Sequence, residues 1–423
     1  KLNVPDKTEG FAIGVHNHGA LPVVVLAGRD ERGVLFAVGR LLLALRMAPG
    51  TLELPTEYGL STAPRYPYRG HQIGYRSLSH CYDAWTPKVY EQYMRELAVF
   101  GANSFETTPF EDPDERDGPH AKVSKGEMAV EWSRICEAYG YDLWLFTSAL
   151  GGTGETDEEI EQALERRLAP VRAFPRLDHI YTTGGDGSSE FRRPDLMLHW
   201  TGRFAEEARK IHPNVGVWVS NQGFDPEQNN WFFDYLQREQ PDWVTGVVYG
   251  AWTRILASEQ RARTPDRYPI RRYPDIGHCV RAQYPAPGWD RALARTLGRE
   301  PFAPRPRGHA RIHNLFAEYC DGFVTYSDGV GDDVNKVIWT ALARFFFGWD
   351  IAEQVRAGIY MLERNFEGSL AENKGVEETF RLWKTLEDGA NESLLANWRF
   401  QECLLRAYYD HYTRLRLLKA NDI

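Results

Sequence analysis

The segment LDHIYTTGGDGSSE, residues 177–190, sets a single carboxylate, Asp186, just beyond an apolar run that ends in two glycines. Gly184 and Gly185 permit a sharp turn and Gly187 keeps the space after the acid open, which suits contact with a ligand better than packing. The competing reading is a turn in which Asp186 only satisfies nearby backbone amides. Three more acids fall in comparable places: Glu106 closes the run SFE, Asp328 lies in YSDGVGDDVNK, and Glu190 follows Asp186 by four residues. A pair of carboxyl groups, one kept protonated at working pH, can do general acid–base or nucleophilic work. Each acid also has a structural reading. Glu106 could pair with an arginine inside the fold, and Glu190 could be a solvated loop residue. Asp332 and Asp333 read as caps of the helix DDVNKVIWTALARFFFG, and Asp83 as the start of the helix behind Trp85.

The elements that must hold these groups alternate regularly. Residues 1–64 form a small N-terminal α/β domain, with strands in FAIGV and PVVVLAG and a helix in ERGVLFAVGRLLLALR. From residue 65 to 349, short apolar strands alternate with helices: GHQIGYR, SFETTPF, YDLWLFTSAL, HIYTTGGD, VGVWVSNQG, WVTGVVYGAW, PIRRYPDIGH and GFVTYSDG. Eight such repeats predict a parallel sheet closed into a (β/α)8 TIM barrel; an open doubly wound sheet is disfavoured because no GxGxxG follows the first strand. Residues 350–423 read as a helical C-terminal region with apolar residues at three- and four-residue intervals. Its aromatic residues (Trp383, Trp398, Tyr408, Tyr409, Tyr412) suggest a homodimer contact, with packing on the barrel as the other account.

In a barrel of this kind chemistry sits at the C-terminal ends of the strands. Those ends carry Tyr75, Arg76, Tyr82, Asp83 and Trp85; Glu106; Asp186; Asn221 and Gln222; Tyr249 and Trp252; Asp275 and His278; and Tyr326 and Asp328. With His71, this is an inventory of acids, hydroxyl-binding groups and stacking rings, and it fits a carbohydrate better than a phosphate or a hydride acceptor. Arg271 and Arg272 are adjacent, so only one can face the barrel interior.

Composition narrows the partners. A net charge of −9 disfavours nucleic acid, which needs a basic face. Five scattered cysteines without a CxxC argue against a disulfide framework or a structural zinc site. His16 and His18 lack a third ligand nearby; His71, His80 and His278 read as hydroxyl-binding groups before metal ligands. No cofactor is expected. No apolar run reaches 18 residues, so no membrane partner is expected. The reading is a cytoplasmic protein, or a periplasmic or secreted one if a signal peptide preceded Lys1. The aromatic share of 13% serves either a ring-rich core or sugar stacking.

A small domain containing RGVLFAVGRLL followed by a barrel whose fourth strand closes on GGD resembles the glycoside hydrolases of families 20, 84 and 67. These comprise β-N-acetylhexosaminidase-like and α-glucuronidase-like enzymes. GYRSLSHCYDAWTPKVYEQYMRELAVFGAN and YSDGVGDDVNKVIWTAL are most similar to uncharacterised bacterial family 20-like proteins. The resemblance implies an exo-acting hydrolase removing a terminal N-acetylhexosamine, hexose or uronic acid. It also implies that Asp186 takes the place of the aspartate that holds the substrate acetamido group. The family's following glutamate, the general acid, is replaced by Gly187. The acid is therefore Asp186 itself, Glu190 or Glu106, with Asp328 competing for the second carboxylate role. A carbohydrate-binding barrel without catalysis and a metal-dependent sugar lyase or isomerase are the alternatives.

Overall fold

A computed structural model describes residues 2–19, 21–48, 50–74, 85–107, 114, 116, 121–148, 156–185, 193–277, 306–327 and 333–344. The expected helical region 350–423 lies outside them. Strands β1 (Phe11–His18), β2 (Leu21–Gly28) and β5 (Gly59–Thr62) form an antiparallel sheet in the order β2-β1-β5, with helix α1 (Glu31–Ala44) packed on it through Phe36 and Ala37. Asp30 starts α1 by accepting from Gly33 N. β5 and a hairpin of β3 (Arg46–Ala48) and β4 (Thr51–Glu53) add to the strands expected from sequence.

The barrel closes as expected. β6 (Tyr68–Gln72), β7 (Ser104–Glu106), β8 (Asp142–Ser148), β9 (His179–Thr183), β10 (Gly216–Ser220), β11 (Gly246–Tyr249), β12 (Ile270–Arg272) and β14 (Gly322–Ser327) pair in parallel in that order. β14 then pairs back to β6. The seventh expected strand is interrupted: Pro274 has no N–H for the ladder, and the chain resumes as β13 (Asp275–Gly277), which pairs with β14 at the rim. The intervening helices start on local signals. Ser124–Glu127, Thr156–Glu159 and Asp225–Gln228 each form a reciprocal capping box, and Thr86 caps the helix opened by Pro87. Thr86 therefore takes the cap expected of Asp83, which lies outside the described residues. Asp333 opens the helix Asp333–Arg344. Among the described residues no helix is long and apolar enough to cross a membrane.

Strand alternation sends Tyr68, Trp144, His179 and Trp218 into the N-terminal end of the lumen. Their rings pack edge to face, Tyr68 lying 5.6 Å from Trp144 and 5.1 Å from Trp218. Trp218 Nε1 donates to His179 Nδ1 at 3.2 Å, so that nitrogen carries no proton, and burial pushes the imidazole down to about 4. Glycines on adjacent strands make room for these rings. A side chain on Gly246 would strike the Trp218 ring and one on Gly216 the His179 ring, while Gly322 lies close against the Tyr68 main chain and Cβ. Much of the aromatic surplus is thus barrel filling.

Below this layer a buried ionic network joins the N-terminal domain to the barrel. Glu9 pairs with Arg69 and Arg32 and accepts from Asn103 Nδ2 at 2.9 Å. Arg32 also pairs with Asp142, which Arg176 approaches at 3.4 Å. Burial works against the Asp142 charge, yet Arg32 holds its carboxyl below the ordinary range. Glu9 sits at φ +60°, a left-handed conformation costly for a non-glycine residue. Its own N–H donates to Asp30 at 2.8 Å, so both its backbone and its carboxylate are tied down.

Candidate active site

The C-terminal end of the lumen is built on a second layer. Arg271 of β12 points inward, its guanidinium 4.4 Å from the Trp144 ring centre and 4.7 Å from that of Tyr181. Its Nη1 donates to Glu106 Oε2 at 2.5 Å, and both side chains are fully buried. Gln72 of β6 donates from Nε2 to Glu106 Oε1 at 3.0 Å, and Tyr273 donates to Gln72 Oε1 at 3.2 Å. Burial pushes the Glu106 carboxyl above the usual carboxylate range while Arg271 and Gln72 pull it down. Tyr273 and Tyr326, with ring centres 6.2 Å apart, join this layer, Phe146 lying 6.3 Å from Tyr273.

Glu106, expected as an acid–base candidate, is tied into this layer. It has no solvent-accessible surface and both its oxygens are engaged, so in this conformation it serves as the counter-ion of Arg271. The arginine partner weighed as its structural reading is the one observed. Of the adjacent arginines, Arg271 takes the interior. Arg272 faces outward, stacked 3.8 Å from the Phe316 ring centre, and burial pulls its guanidinium down to about 10.

Several expected hydroxyl-binding groups point away from the lumen, because residues one apart on a strand face opposite sides. His71 lies between Thr325 Oγ1 and Thr340 Oγ1, each at 2.8 Å, in the layer between strands and helices. Burial there, with Lys336 nearby, pushes it far below its ordinary value. Asn221 donates to Asn229 and Gln260 on the helices behind β10. Tyr249 donates to the Ile255 carbonyl and its ring faces Phe316. Trp85 packs edge-on against Tyr90 and Tyr93. Asp275 is exposed on the rim strand β13.

Three loops meet at the mouth. A side chain on Gly223 would stand 3.4 Å from the Gly185 backbone, and Gly223 N donates to the Trp252 carbonyl at 3.2 Å. Trp252 itself is 51% exposed. Gln222 is buried beside Gly250, where any side chain would overlap its amide oxygen. Among the described residues that oxygen has no hydrogen-bond partner. Asp186, Glu190, Asp328, Tyr75, Arg76, Tyr82, Asp83 and His278 lie outside the described residues. Among the described residues, no three His, Cys, Asp or Glu side chains group as a metal site. Gln72, Tyr273 and Phe146 were missed in sequence. Period-two alternation from Tyr68 and from Arg271 would have found the first two.

No protein-family model matches the chain, and no curated protein matches it. Solved structures do. CpGH84B is similar over 89% of this chain at 14% identity and a TM-score of 0.59. CpGH84D is similar over 98% at 13% identity and 0.50, covering 71% of its own length. An O-GlcNAc hydrolase mutant from Thermobaculum terrenum is similar over 83% at 12% identity and 0.47, covering 78% of its length. The chain spans 62% of the length of CpGH84B. At these identities the likeness establishes the fold: a (β/α)8 barrel of the kind built by CpGH84B.

Proposed function

We propose that the chain is an exo-acting glycoside hydrolase that removes a terminal sugar at the C-terminal mouth of the barrel. The observation that carries this reading is the junction of Gly185, Gly223 and Trp252. It brings the residue before Asp186 to the Gly223 backbone, whose N–H donates to the carbonyl of the half-exposed Trp252, in a barrel whose lumen also carries Tyr273, Tyr326 and Phe146. An acid following Gly185 would suit glycosidic cleavage, in which the sugar ring is held by stacking while a carboxyl group works on the bridging oxygen. The shared fold with CpGH84B, a protein whose name carries family 84, supports the same reading.

Asp186 would donate its proton to the leaving-group oxygen or orient the substrate for that step. With Glu106 occupied by Arg271, the second carboxylate role falls to Asp328 or Glu190. Among the described residues the lumen cation Arg271 is already neutralised, which favours an uncharged sugar such as an N-acetylhexosamine over a uronic acid. A screen of 4-nitrophenyl glycosides, including N-acetylhexosaminides and glucuronides, tests the reading. Release of nitrophenol, abolished by Asp186→Asn, is the expected result. Sugar binding with no product over days would instead make the barrel a carbohydrate-binding module.

A further inference from the structure

We infer that Arg272 is the floor of an anion-binding site behind the barrel wall, between β12 and the helices Pro306–Phe316 and Asp333–Arg344. The ligand it fits is a small oxyanion, a carboxylate or a phosphate, whose oxygens can meet a planar fork of N–H donors. The site faces away from the lumen and does not depend on what the mouth binds.

A guanidinium carries five N–H donors and stays charged, so setting one against apolar surface without acceptors is strongly unfavourable. Comparable arginines of this chain meet that demand. Arg69 donates to the Gly101 and Tyr66 carbonyls and pairs with Glu9. Arg261 donates to the carbonyls of Tyr268, Thr264 and Pro265. Even Arg271, whose Nε and Nη2 go unpartnered, has Glu106 against its Nη1. Arg272 differs from all of them. Its Nη1 is buried without a hydrogen-bond partner, and among the described residues no carboxylate pairs with it.

The groups around Arg272 do not neutralise it. Phe316 at 3.8 Å and Trp339 at 5.2 Å attract the cation but offer its N–H groups no lone pair. Tyr249 and Tyr66 are neutral phenols that donate to the Ile255 and Ala317 carbonyls at 2.9 and 2.8 Å. Cys320 stays a thiol, because burial pushes it up to about 12 even with Arg272 acting on it. Asp321, which also acts on Cys320, is engaged elsewhere: it accepts from Ile270 N at 2.8 Å and stands 4.0 Å from Arg261. His313 lies 5.2 Å from the same Trp339 ring, and its Nε2 is likewise buried without a partner. The charges acting on this imidazole are Arg272 and Arg65, both positive. The corner therefore has an excess of positive charge and unused polar atoms, which an anion would satisfy. Arg272 keeps part of its surface exposed, Nη1 being its buried end, so a small anion can reach the residue from solvent. A planar fork is the group that pairs with a carboxylate or phosphate through two hydrogen bonds at once.

The test uses the full chain and small ions as probes. Melting temperature is followed as sodium phosphate, sodium acetate or sodium chloride is added at matched ionic strength. Phosphate or acetate, well above its dissociation constant, should raise it by about 2 °C or more over chloride. The salt with the larger shift identifies the oxyanion, and calorimetry gives its dissociation constant. Arg272→Met keeps a stem between the rings, removes the charge and should abolish the difference between salts. With the unpaired charge gone, its melting temperature in chloride should equal or exceed that of the wild type. Arg272→Lys keeps the charge without the fork and should bind the same anion at least about tenfold more weakly. Should Arg272→Met fail to fold, the lysine comparison decides, and equal affinity overturns the inference. Equal shifts in all three salts overturn it, as does an oxyanion effect that survives Arg272→Met. A wild type indifferent to oxyanions, with an Arg272→Met variant much less stable in every salt, also overturns it. That pair of results would mean that an acid of this chain fills the fork.

Discussion

The two ends of the barrel are made by the same eight strands and are built on opposite principles. At the N-terminal end Tyr68, Trp144, His179 and Trp218 fill the lumen, and Glu9, Arg32, Arg69 and Asp142 bolt a second domain beneath them. At the C-terminal end the lumen carries an ion pair, an amide and phenols, and the loops above bring Gly185, Gly223 and Trp252 together. The first end is built for stability and the second carries the groups of the proposed site, the division of labour expected of this fold. Changes at one end should therefore leave the other's property nearly intact.

The largest effect expected is on activity. Asp186→Asn should lower kcat by about a thousandfold with an unchanged melting temperature. A loss of only a few-fold, or a parallel loss of stability, would break the comparison. Next comes the opposite end. Glu9→Gln leaves Arg69 buried beside a neutral partner and should cost about 3 kcal/mol in urea unfolding, with kcat of the folded protein unchanged. Gly246→Ala pushes a methyl into the Trp218 ring and should cost roughly 1–3 kcal/mol. Titration sharpens the contrast further. His179 is held near 4 in the folded protein, whereas the unfolded chain takes up its proton near 6.5. Its contribution is therefore complete above pH 6.5 and is lost as the pH falls toward 4. His313, also pushed down to about 4 by burial, adds to the same limb. The melting temperature should drop by several degrees over that range, and His179→Gln should flatten the slope. Smallest is Trp252→Ala, which should raise KM about fivefold through lost stacking and leave unfolding untouched.

The barrel itself was legible because strand and helix periods differ and the eight alternations are uninterrupted. What the sequence could not tell is which face of a strand end looks inward. His71, Asn221 and Tyr249 are polar residues at strand ends that face the helices, and their partners Thr340, Gln260 and Ile255 lie far along the chain or around a loop. Glu106 and Arg271 are 165 residues apart, and only closure of the sheet makes them neighbours. Gln72 went unnoticed because it lies inside the run GHQIGYR, not at its end, where only alternation from Tyr68 marks it as inward. Its role emerges only beside Glu106 and Tyr273. The split of the seventh strand at Pro274 was written in the sequence, since proline marks strand breaks, yet the apolar run around it read as continuous.

The glycines that admit the lumen rings have a consequence for folding. Gly216 receives the His179 ring of β9 and Gly246 receives the Trp218 ring of β10. Each socket lies on the strand next to its ring. A one-residue slip between those strands would bring a side chain against the ring and turn the inward set outward. These two pairs act as keys that admit one stagger between neighbouring strands. A barrel's stagger fixes its tilt and diameter, so they also help set the width of the mouth at the far end.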